Sequence, residues 1–273
     1  MTVDYIRLSP TGNITVLVTG PVPREQQPRT ATRLLESDCV GGEQAGFIEP
    51  PADPRASARL QMMGGEFCGN AAMSLAAVLA RRDGLAAGRC EEYLLEVSGA
   101  PGLVPCSVRR DSDGWTGTVR MPLPTGLGEI DIDTDGGPLR VPIVEMPGIT
   151  HLILPIRANL REDELRRRIP EWNRVLGADA LGALGWDEAA AAIDPLVYVP
   201  SAGTLVREHG CGSGTAAIGC WLARLAGRGV EAGIRQPGGT ITVRAEVAGH
   251  AVTGLSITGR VQILDEGTAS VEG

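Results

Sequence analysis

The sequence predicts an α+β fold made of two pseudo-symmetric domains, each a curved, mostly antiparallel sheet around a central helix. Two observations carry this prediction. A cysteine-glycine pair opens a small-residue helix twice, at Cys68 and at Cys211, and each helix runs into Leu-Ala-Arg at the same distance downstream. Each helix is then followed by three β-rich segments that Gly-containing turns divide. A repeat of that length indicates two half-molecules of similar fold.

The first half is expected to open on two strands around a short loop and then to alternate strands with two helices. β-Branched residues run on either side of Pro10 and Gly12, which are turn residues. The segment after Cys68 is apolar nearly all round, as is typical of a helix buried inside a sheet, and it ends before Gly84. The predicted strands are residues 3–8, 14–18, 45–49, 58–63, 91–98, 103–109 and 115–121, and the predicted helices are residues 24–37 and 68–82.

The second half follows the same plan, with a charged helix and an Ala-rich stretch ahead of its thiol helix. The predicted strands are residues 140–145, 151–156, 197–199, 204–207, 233–236, 240–247 and 251–257, and the helices are residues 161–168 and the segment from Cys211. A closing strand at residues 256–264 is expected to return to the first half. The predicted domains are therefore residues 1–125 with about 258–273, and residues 126–257.

The two cysteines at the helix starts are the main candidates for chemistry. The first N–H groups of a helix have no partner within it, and the helix dipole favours negative charge there. We therefore expect a lowered thiol pKa at both Cys68 and Cys211 and a thiolate near neutral pH. Two facing thiols make a two-base proton-transfer site, and the helix starts are suited to hold a substrate carboxylate. The alternative is a pair of buried thiols or a disulfide.

The composition excludes several function classes. All 25 basic residues are Arg, so the sequence offers no Lys amine for the Schiff base of a pyridoxal-phosphate enzyme. The net charge is −8 with acids and bases interspersed, which argues against a nucleic-acid or membrane surface as partner. No secretory leader pattern or membrane-spanning run is recognisable. A small-molecule partner and a cytoplasmic location are expected.

The six cysteines give no metal or disulfide pattern. They form no C-x-x-C pair and share the sequence with only three His, so neither a zinc site nor another metal site is expected. In a reducing cytoplasm they are not a disulfide framework. We expect four of them to be small buried apolar residues: Cys39, Cys90, Cys106 and Cys220.

Three local patterns suggest other functions. His209 lies two residues before Cys211, as in a Cys–His hydrolase, but sequence neighbours on a tight turn rarely align for nucleophilic catalysis. Residues 212–217 match a G-x-G-x-x-A dinucleotide pattern, yet hairpins follow instead of a parallel strand unit. Residues 131–136 imitate a calcium loop, but its twelfth position is Pro142, so a solvated turn is preferred.

Five strings carry a family resemblance that covers nearly the whole chain in order. They are SPTGN at residues 9–13, EQAGFIE at 43–49, GGEFCGNAAMS at 64–74, REHGCGSGTAAIG at 207–219 and QPGGTITV at 236–243. Together they resemble the diaminopimelate-epimerase-like family of cofactor-independent racemases. Within that family, the motifs most resemble those of the histidine racemases of opine-type metallophore biosynthesis. The resemblance implies two α+β domains that close on an amino-acid substrate, and an isomerase that needs no cofactor.

By that resemblance Cys68 and Cys211 are the two catalytic bases. It also implies that further motif positions bind the substrate: Asn13, Glu43, Gln44, Gly69, Asn70, Thr150, His151, Glu208, Gly212 and Ser213. Thr150 and His151 fall where the family has Asn-Pro-His, and Glu208 is a candidate for the substrate amine.

The departures from the family pattern bear on the substrate. Residues 147–150 and 200–203 replace runs that grip diaminopimelate in the epimerase, and Asn70 stands where proline racemases have His. These departures argue against diaminopimelate and proline, and the resemblance implies racemisation of free histidine as the leading expectation. Diaminopimelate epimerisation, an isomerase of the phenazine-biosynthesis type, a non-enzymatic binder and the Cys–His hydrolase remain alternatives. The assembly state is left open, with a homodimer as one option.

Overall fold

The structure, a computed structural model, describes residues 1–249 and 251–271. The chain divides into two compact units, and the predicted α+β class is confirmed. Unit 1 comprises residues 1–120 with the described residues from Thr258 onward, and unit 2 comprises residues 121–257.

Unit 1 is a closed eight-stranded barrel around one helix. Its strands are β1 Thr2–Pro10, β2 Thr15–Val18, β3 Gln44–Glu49, β4 Ala58–Met62, β5 Cys90–Val97, β6 Val104–Arg110, β7 Trp115–Arg120 and the later part of β16 Ala251–Ser270. They follow one another in this order, and β16 pairs with both β7 and β1, which closes the barrel. The pairs β2–β3 and β4–β5 are parallel. A 3-10 turn at Arg24–Gln26 leads into helix α1 Gln27–Leu35, and helix α2 Gly69–Arg82 is buried along most of its length.

Unit 2 is a sheet with one helix on each face. Its strands are β8 Gly126–Thr134, β9 Gly137–Met146, β10 Ile149–Pro155, β11 Leu181–Asp187, β12 Ala192–Val199, β13 Thr204–Arg207, β14 Val230–Gln236, β15 Gly239–Ala248 and the first part of β16. The order is β8-β9-β10-β11-β12-β14-β15-β16, with β13 beside β12 and β10 parallel to β11. Helix α4 Gly212–Ala226 contacts β15, β14, β9 and β10. Helix α3 Glu162–Leu176 packs Ile169 and Trp172 on a separate apolar cluster with Leu152 and Leu181.

The structure adds two strands to the elements expected from the sequence and lengthens one helix. Strand β8 was not predicted, because only Ile132 of its nine residues is buried and two glycines lower its β propensity. Strand β11 was not predicted either, since Gly and Ala interrupt its apolar pattern. Helix α3 runs eight residues beyond the predicted end at Arg168, through Pro170, because Ile169 and Trp172 are buried by tertiary packing.

The cysteines show where composition alone misleads. All six are free. Cys106 and Cys220 are buried as predicted, and burial raises the pKa of each to about 12. The prediction is wrong for Cys90, which is exposed at the start of β5, and for Cys39, which is only partly buried.

Membrane and metal sites are also addressed by the structure. No helix in the described part of the chain is long and apolar enough to cross a bilayer. Within residues 1–249 and 251–271, no three His, Cys, Asp or Glu side chains are grouped to hold a metal ion. The acidic stretch that imitates a calcium loop is the β8–β9 hairpin, where Asp135 forms ion pairs with Arg167 and Arg168.

Candidate active site

Cys68 is the N-cap residue of α2. Its backbone is extended, with φ −130° and ψ 110°, and its sulfur accepts the N–H of Ala71 at 3.4 Å. Its carbonyl accepts the N–H of Ala72 at 3.0 Å and so begins the helix. A thiol therefore stands where Ser, Thr, Asp or Asn usually caps a helix. Gly69 and Asn70, the predicted substrate-binding residues beside it, form the first turn and are buried.

Gln44 holds the Cys68 thiol from the neighbouring sheet. The thiol donates to Oε1 of Gln44 at 2.9 Å, and Nε2 of Gln44 donates to the Thr15 hydroxyl at 2.7 Å. Thr15 and Gln44 are register partners on the parallel strands β2 and β3, so the sheet itself brings them together. The sequence pointed to Gln44 but missed Thr15, since no motif links a strand residue to one 29 positions away.

The loop between β1 and β2 supplies a second polar pair. Asn13 donates from Nδ2 to a Glu43 carboxylate oxygen at 3.3 Å. Asn13 is 4% exposed, and its Oδ1 has no hydrogen-bond partner among the described residues. A buried acceptor without a donor is costly, which suits a position that a ligand N–H completes.

The segment before Cys68 is held by the turn after β5. The Ser98 hydroxyl donates to the carbonyl of Glu66 at 2.8 Å and accepts the N–H of Met62 at 3.0 Å. Gly99 has φ +73°, and a Cβ there would lie 2.4 Å from the backbone nitrogen of Phe67. The Val-Ser-Gly turn therefore fixes the approach of the chain to the thiol.

Cys211 repeats the cap geometry on α4. Its backbone is extended, with φ −100° and ψ 101°, and its sulfur accepts the N–H of Gly214 at 3.3 Å and lies 3.6 Å from the Ser213 hydroxyl. Gly212 and Ser213 begin the helix, as predicted. A Cβ on Gly214 would lie 2.8 Å from Leu184 and 3.0 Å from the sulfur. The glycine pattern here makes room for the thiol, which accounts for it without a nucleotide.

The expected lowering of the thiol pKa is wrong for Cys211. Burial raises its pKa well above the ordinary value, and the charge and hydrogen bond of Glu208 raise it further. The Gly214 N–H and the Ser213 hydroxyl lower the pKa, as a helix start should, but they are outweighed. Cys211 is therefore held as a neutral thiol beside a carboxylate. Glu208, expected at the substrate amine, is thus a partner of the thiol.

Gln236 and Thr215 hold the backbone of Cys211. Gln236 Oε1 accepts the Cys211 N–H at 2.6 Å, and its Nε2 donates to the Thr215 hydroxyl at 2.6 Å. Thr215 in turn donates to the Cys211 carbonyl at 2.8 Å. Sequence reasoning missed both residues. A Gln at the last position of β14, inside the QPGG string, was the available signal.

His151 is fully buried on β10, on the α4 side of the sheet. Its register partner is Gly182 on β11, where a Cβ would lie only 2.2 Å from the His151 Nδ1. Leu184, on the same face of β11, reaches Gly214. Neither ring nitrogen has a hydrogen-bond partner among the described residues, and burial lowers the His151 pKa to about 3. The ring is a neutral imidazole. Thr150, beside it, is partly buried, and its backbone N–H bonds to Ala180.

The structure thus brings most of the predicted residues into two clusters. In unit 1, Asn13 and Glu43 form a hydrogen-bonded pair next to Gln44, which binds Cys68, and Gly69 and Asn70 follow the thiol. In unit 2, Glu208, Gly212 and Ser213 surround Cys211. His209 is in the same loop, where its carbonyl accepts the Gly238 N–H at 2.7 Å. The charged partner of the Cys211 thiol is Glu208, which disfavours a Cys–His nucleophile.

Residues 2–270 match the sequence model of the family described as "Histidine racemase CntK N-terminal domain". The chain belongs to this family. A histidine racemase of Fusobacterium nucleatum subsp. nucleatum is 31% identical over 227 residues, which cover 81% of each chain. A histidine racemase of Staphylococcus aureus strain Mu50 is 28% identical over 276 residues, covering 99% of this chain and 98% of that one. This histidine racemase family member is accordingly an isomerase, and its class of reaction is racemisation.

Solved structures of an epimerase and of a phenazine biosynthesis protein share the fold. A hydroxyproline epimerase of Agrobacterium vitis, solved with bound trans-4-hydroxy-L-proline, has a TM-score of 0.73 at 18% identity, over 99% of this chain and 93% of that one. A phenazine biosynthesis protein of the PhzF family from Enterococcus faecalis has a TM-score of 0.59 at 14% identity, over 99% and 100%. At these identities the likeness concerns the fold alone.

Proposed function

We propose that this racemase inverts the α-carbon of free histidine by transferring protons through Cys68 and Cys211, with neither a metal nor an organic cofactor. The observation that carries the proposal is the repeated cap. Each half of the chain presents one thiol as the acceptor of the third helical N–H, at 3.4 Å for Cys68 and 3.3 Å for Cys211. The names of the relatives support histidine as the substrate. The absence of Lys from the sequence supports chemistry without pyridoxal phosphate.

The proposed reaction balances with two thiols and one substrate. One cysteine, as thiolate, takes the α-proton, and the C–H electron pair stays on the substrate as a carbanion stabilised by its carboxylate. The other cysteine, as thiol, gives its proton to the opposite face. Inversion leaves the two protonation states exchanged, and proton exchange with water resets them. Backbone N–H groups at the helix starts are suited to the carboxylate as its charge grows.

The surroundings of the thiols support different resting roles. Cys211, buried beside Glu208 with a raised pKa, is suited to be the proton donor. Glu208 is placed to receive that proton when the reverse reaction requires a thiolate at Cys211. Cys68 has a partner for each state, since the Ala71 N–H stabilises a thiolate and Gln44 Oε1 accepts from a thiol. The remaining predicted residues, including the neutral imidazole of His151, are proposed to bind the substrate.

The wider setting rests on the resemblance alone. We propose a cytoplasmic enzyme that serves opine-type metallophore biosynthesis, and we keep the homodimer as a prediction.

Replacing each thiol tests the mechanism. Cys68→Ala and Cys211→Ala should each lower racemisation of free histidine by at least about 10³-fold, because each variant lacks one of the two proton carriers. Chiral chromatography of the product measures the rate. Cys220→Ala is the matched control, a buried cysteine in the body of α4, and should keep the activity. Substantial activity in both active-site variants would refute the two-thiol mechanism.

A substrate panel tests histidine independently. Free amino acids, including diaminopimelate and proline, are incubated in deuterated water, and exchange of the α-proton is followed by NMR. Histidine should exchange fastest. Rapid exchange of another amino acid with histidine untouched would keep the racemase and reassign its substrate.

A further inference from the structure

The peptide of Cys211 is clamped at both ends by two side chains that also bond to each other. Gln236 Oε1 accepts a hydrogen bond from the Cys211 N–H at 2.6 Å, and the Thr215 hydroxyl donates to the Cys211 carbonyl at 2.8 Å. Gln236 Nε2 donates to the Thr215 hydroxyl at 2.6 Å. The three bonds form a closed ring through the cap residue. We call these two side chains the Gln236–Thr215 clamp.

The clamp is shielded from water. Thr215 is fully buried, Cys211 is 2% exposed and Gln236 is 9% exposed. Water therefore competes little for these bonds, and removal of one partner leaves a buried polar group unsatisfied. The neighbouring hairpin turn adds a fourth bond, from the Gly238 N–H to the carbonyl of His209 at 2.7 Å. The end of β14 and the turn after it thus fix the loop that carries the thiol.

The clamp fixes the backbone from which the thiol extends. A cap residue must leave the helical conformation, and Cys211 does so with φ −100° and ψ 101°. With both ends of its peptide bonded, the Cα–Cβ bond has one direction, and the Gly214 N–H, 3.3 Å from the sulfur, then selects the rotamer. The clamp makes no contact with the sulfur, which is left to Glu208 and Ser213.

The first half holds its cysteine with the same two residue types in another way. Gln44 is bonded to Thr15 at 2.7 Å, but its Oε1 accepts the thiol of Cys68 instead of a backbone N–H. One Gln–Thr pair therefore holds the thiol of Cys68, whereas the other pair holds the backbone of Cys211. The difference indicates that Cys211 must be positioned while its sulfur stays available to other partners.

We propose that Gln236 and Thr215 are positioning residues for Cys211, which they hold through its backbone so that its thiol meets the substrate in one fixed orientation. This proposal rests on the proposed function, in which Cys211 carries one of the two protons. It assigns a role to two residues that bond to the backbone of Cys211 and to each other.

Kinetics of four variants test the proposal. Gln236→Met and Thr215→Val keep side-chain size but remove the hydrogen bonds, and a thiol displaced by about 1 Å should lower kcat about 10²-fold with a much smaller change in KM. Thr215→Ser keeps the hydroxyl and should stay within about threefold of the parent. Gln262→Met, at an exposed position of β16, is the matched control. If Gln236→Met does not fold, Thr215→Val carries the test on its own, because it removes the hydroxyl that bonds to both Gln236 and the Cys211 carbonyl.

Deuterium exchange separates positioning from general damage. In Thr215→Val and Gln236→Met, the enantiomer whose proton Cys68 removes should still exchange with solvent at the parent rate. Inversion and exchange of the other enantiomer should fall together, by the same factor as kcat. Equal loss of both exchange reactions, or folded variants that racemise like the parent, would overturn the proposal.

A spectroscopic measurement keeps the test independent of the racemase assignment. Titration of ¹³Cβ-labelled cysteine by NMR follows the ionisation of each thiol without substrate. Loosening the clamp lets water reach a buried thiol, so the Cys211 midpoint should fall by at least about half a pH unit while the Cys68 midpoint stays. An unchanged Cys211 midpoint, or equal movement of both, would overturn the positioning role even if the substrate proves different.

Discussion

Cys68 and Cys211 occupy the same cap position but differ in their partners. Cys68 is partly buried and faces the amide of Gln44, whereas Cys211 is 2% exposed and faces the carboxylate of Glu208. The two halves thus share the geometry of the capping thiol but differ in its electrostatic surroundings. The two proton carriers of the proposed reaction are therefore not interchangeable.

His151 shows how one small neighbour sets the chemistry of a residue. Gly182 on the adjacent strand leaves room for the ring because it has no side chain. A Cβ at this position would lie 2.2 Å from Nδ1 and 2.7 Å from Cε1 of His151. The ring is fully buried and its pKa of about 3 keeps it neutral at physiological pH. A neutral imidazole offers one donor and one acceptor at the same time.

Gly182→Ala should displace His151 and lower kcat/KM at least about tenfold, with a loss of about 1–3 kcal/mol in the free energy of unfolding from overpacking. Steady-state racemisation and urea denaturation measure the two effects. Gly185→Ala on the same strand is the control, because its Cβ would meet Asp194 at an ordinary 3.5 Å. Full activity in Gly182→Ala would mean that the ring position does not matter.

Single residues also mark the limit of what the sequence could predict. Cys68, Cys211 and Gln44 were found because they lie in repeated or recognisable strings. Thr15 and Gly182 were not, because their roles arise from strand register. Gln236 lies in a recognisable string, but its role arises from a contact across the fold with Thr215, 21 positions earlier in the chain. The raised pKa of Cys211 was missed for a related reason, since the depth of burial is a property of the folded chain.

At the level of elements, the two thiol helices act as the cores of their units. Eleven residues of α2 are buried, including every residue from Gly69 to Val78. Helix α4 packs on β15 and leaves no room for a side chain at Gly219, where a Cβ would lie 2.4 Å from a methyl group of Val243. The contact thus constrains how close the helix lies to the sheet.

Gly219→Ala should lower the free energy of unfolding by about 1–3 kcal/mol, although Ala is the better helix former. Val243→Ala removes the methyl groups that collide. In that background the same Gly219→Ala change should become neutral or stabilising by up to about 1 kcal/mol. A double-mutant cycle in urea measures the coupling between the two sites. Additive effects would show that the close approach imposes no constraint.

The elements themselves were largely predictable. Helix α2 and strand β13 coincide with their predicted bounds, with Cys68 as the cap, because local pattern and tertiary role agree there. Strands β8 and β11 were missed because their Gly and acidic residues are poor strand formers that only pairing with neighbours stabilises. The sequence also split β16 into two segments, since Gly254 and Gly259 interrupt a strand that runs for 20 residues.

At the level of the whole molecule, β16 serves both units. Its first residues, up to Ile257, belong to unit 2, and those from Thr258 belong to unit 1, where they pair with β1 from Thr2 to Pro10. This pairing joins residues more than 250 positions apart and removes the open edges that β1 and β7 would otherwise present.

Val261→Asp should therefore unfold or severely destabilise unit 1, because Val261 is fully buried opposite Pro10 and an unpaired carboxylate there costs several kcal/mol, on the order of 3–5. Gln262→Asp, one residue later and exposed, is the matched control and should fold normally. Circular dichroism and thermal denaturation compare them. Equal stability of the two variants would contradict the closed barrel.

The shared strand also orders events during synthesis on the ribosome. Unit 1 holds the first 120 residues, yet its last strand is translated only after the whole of unit 2 has been translated. Until then, strands β1 and β7 of the nascent unit 1 have unpaired edges. Unit 2 has all of its strands before unit 1 does. Maturation of the enzyme thus runs opposite to the direction of translation, and the Cys68 half is the last to close.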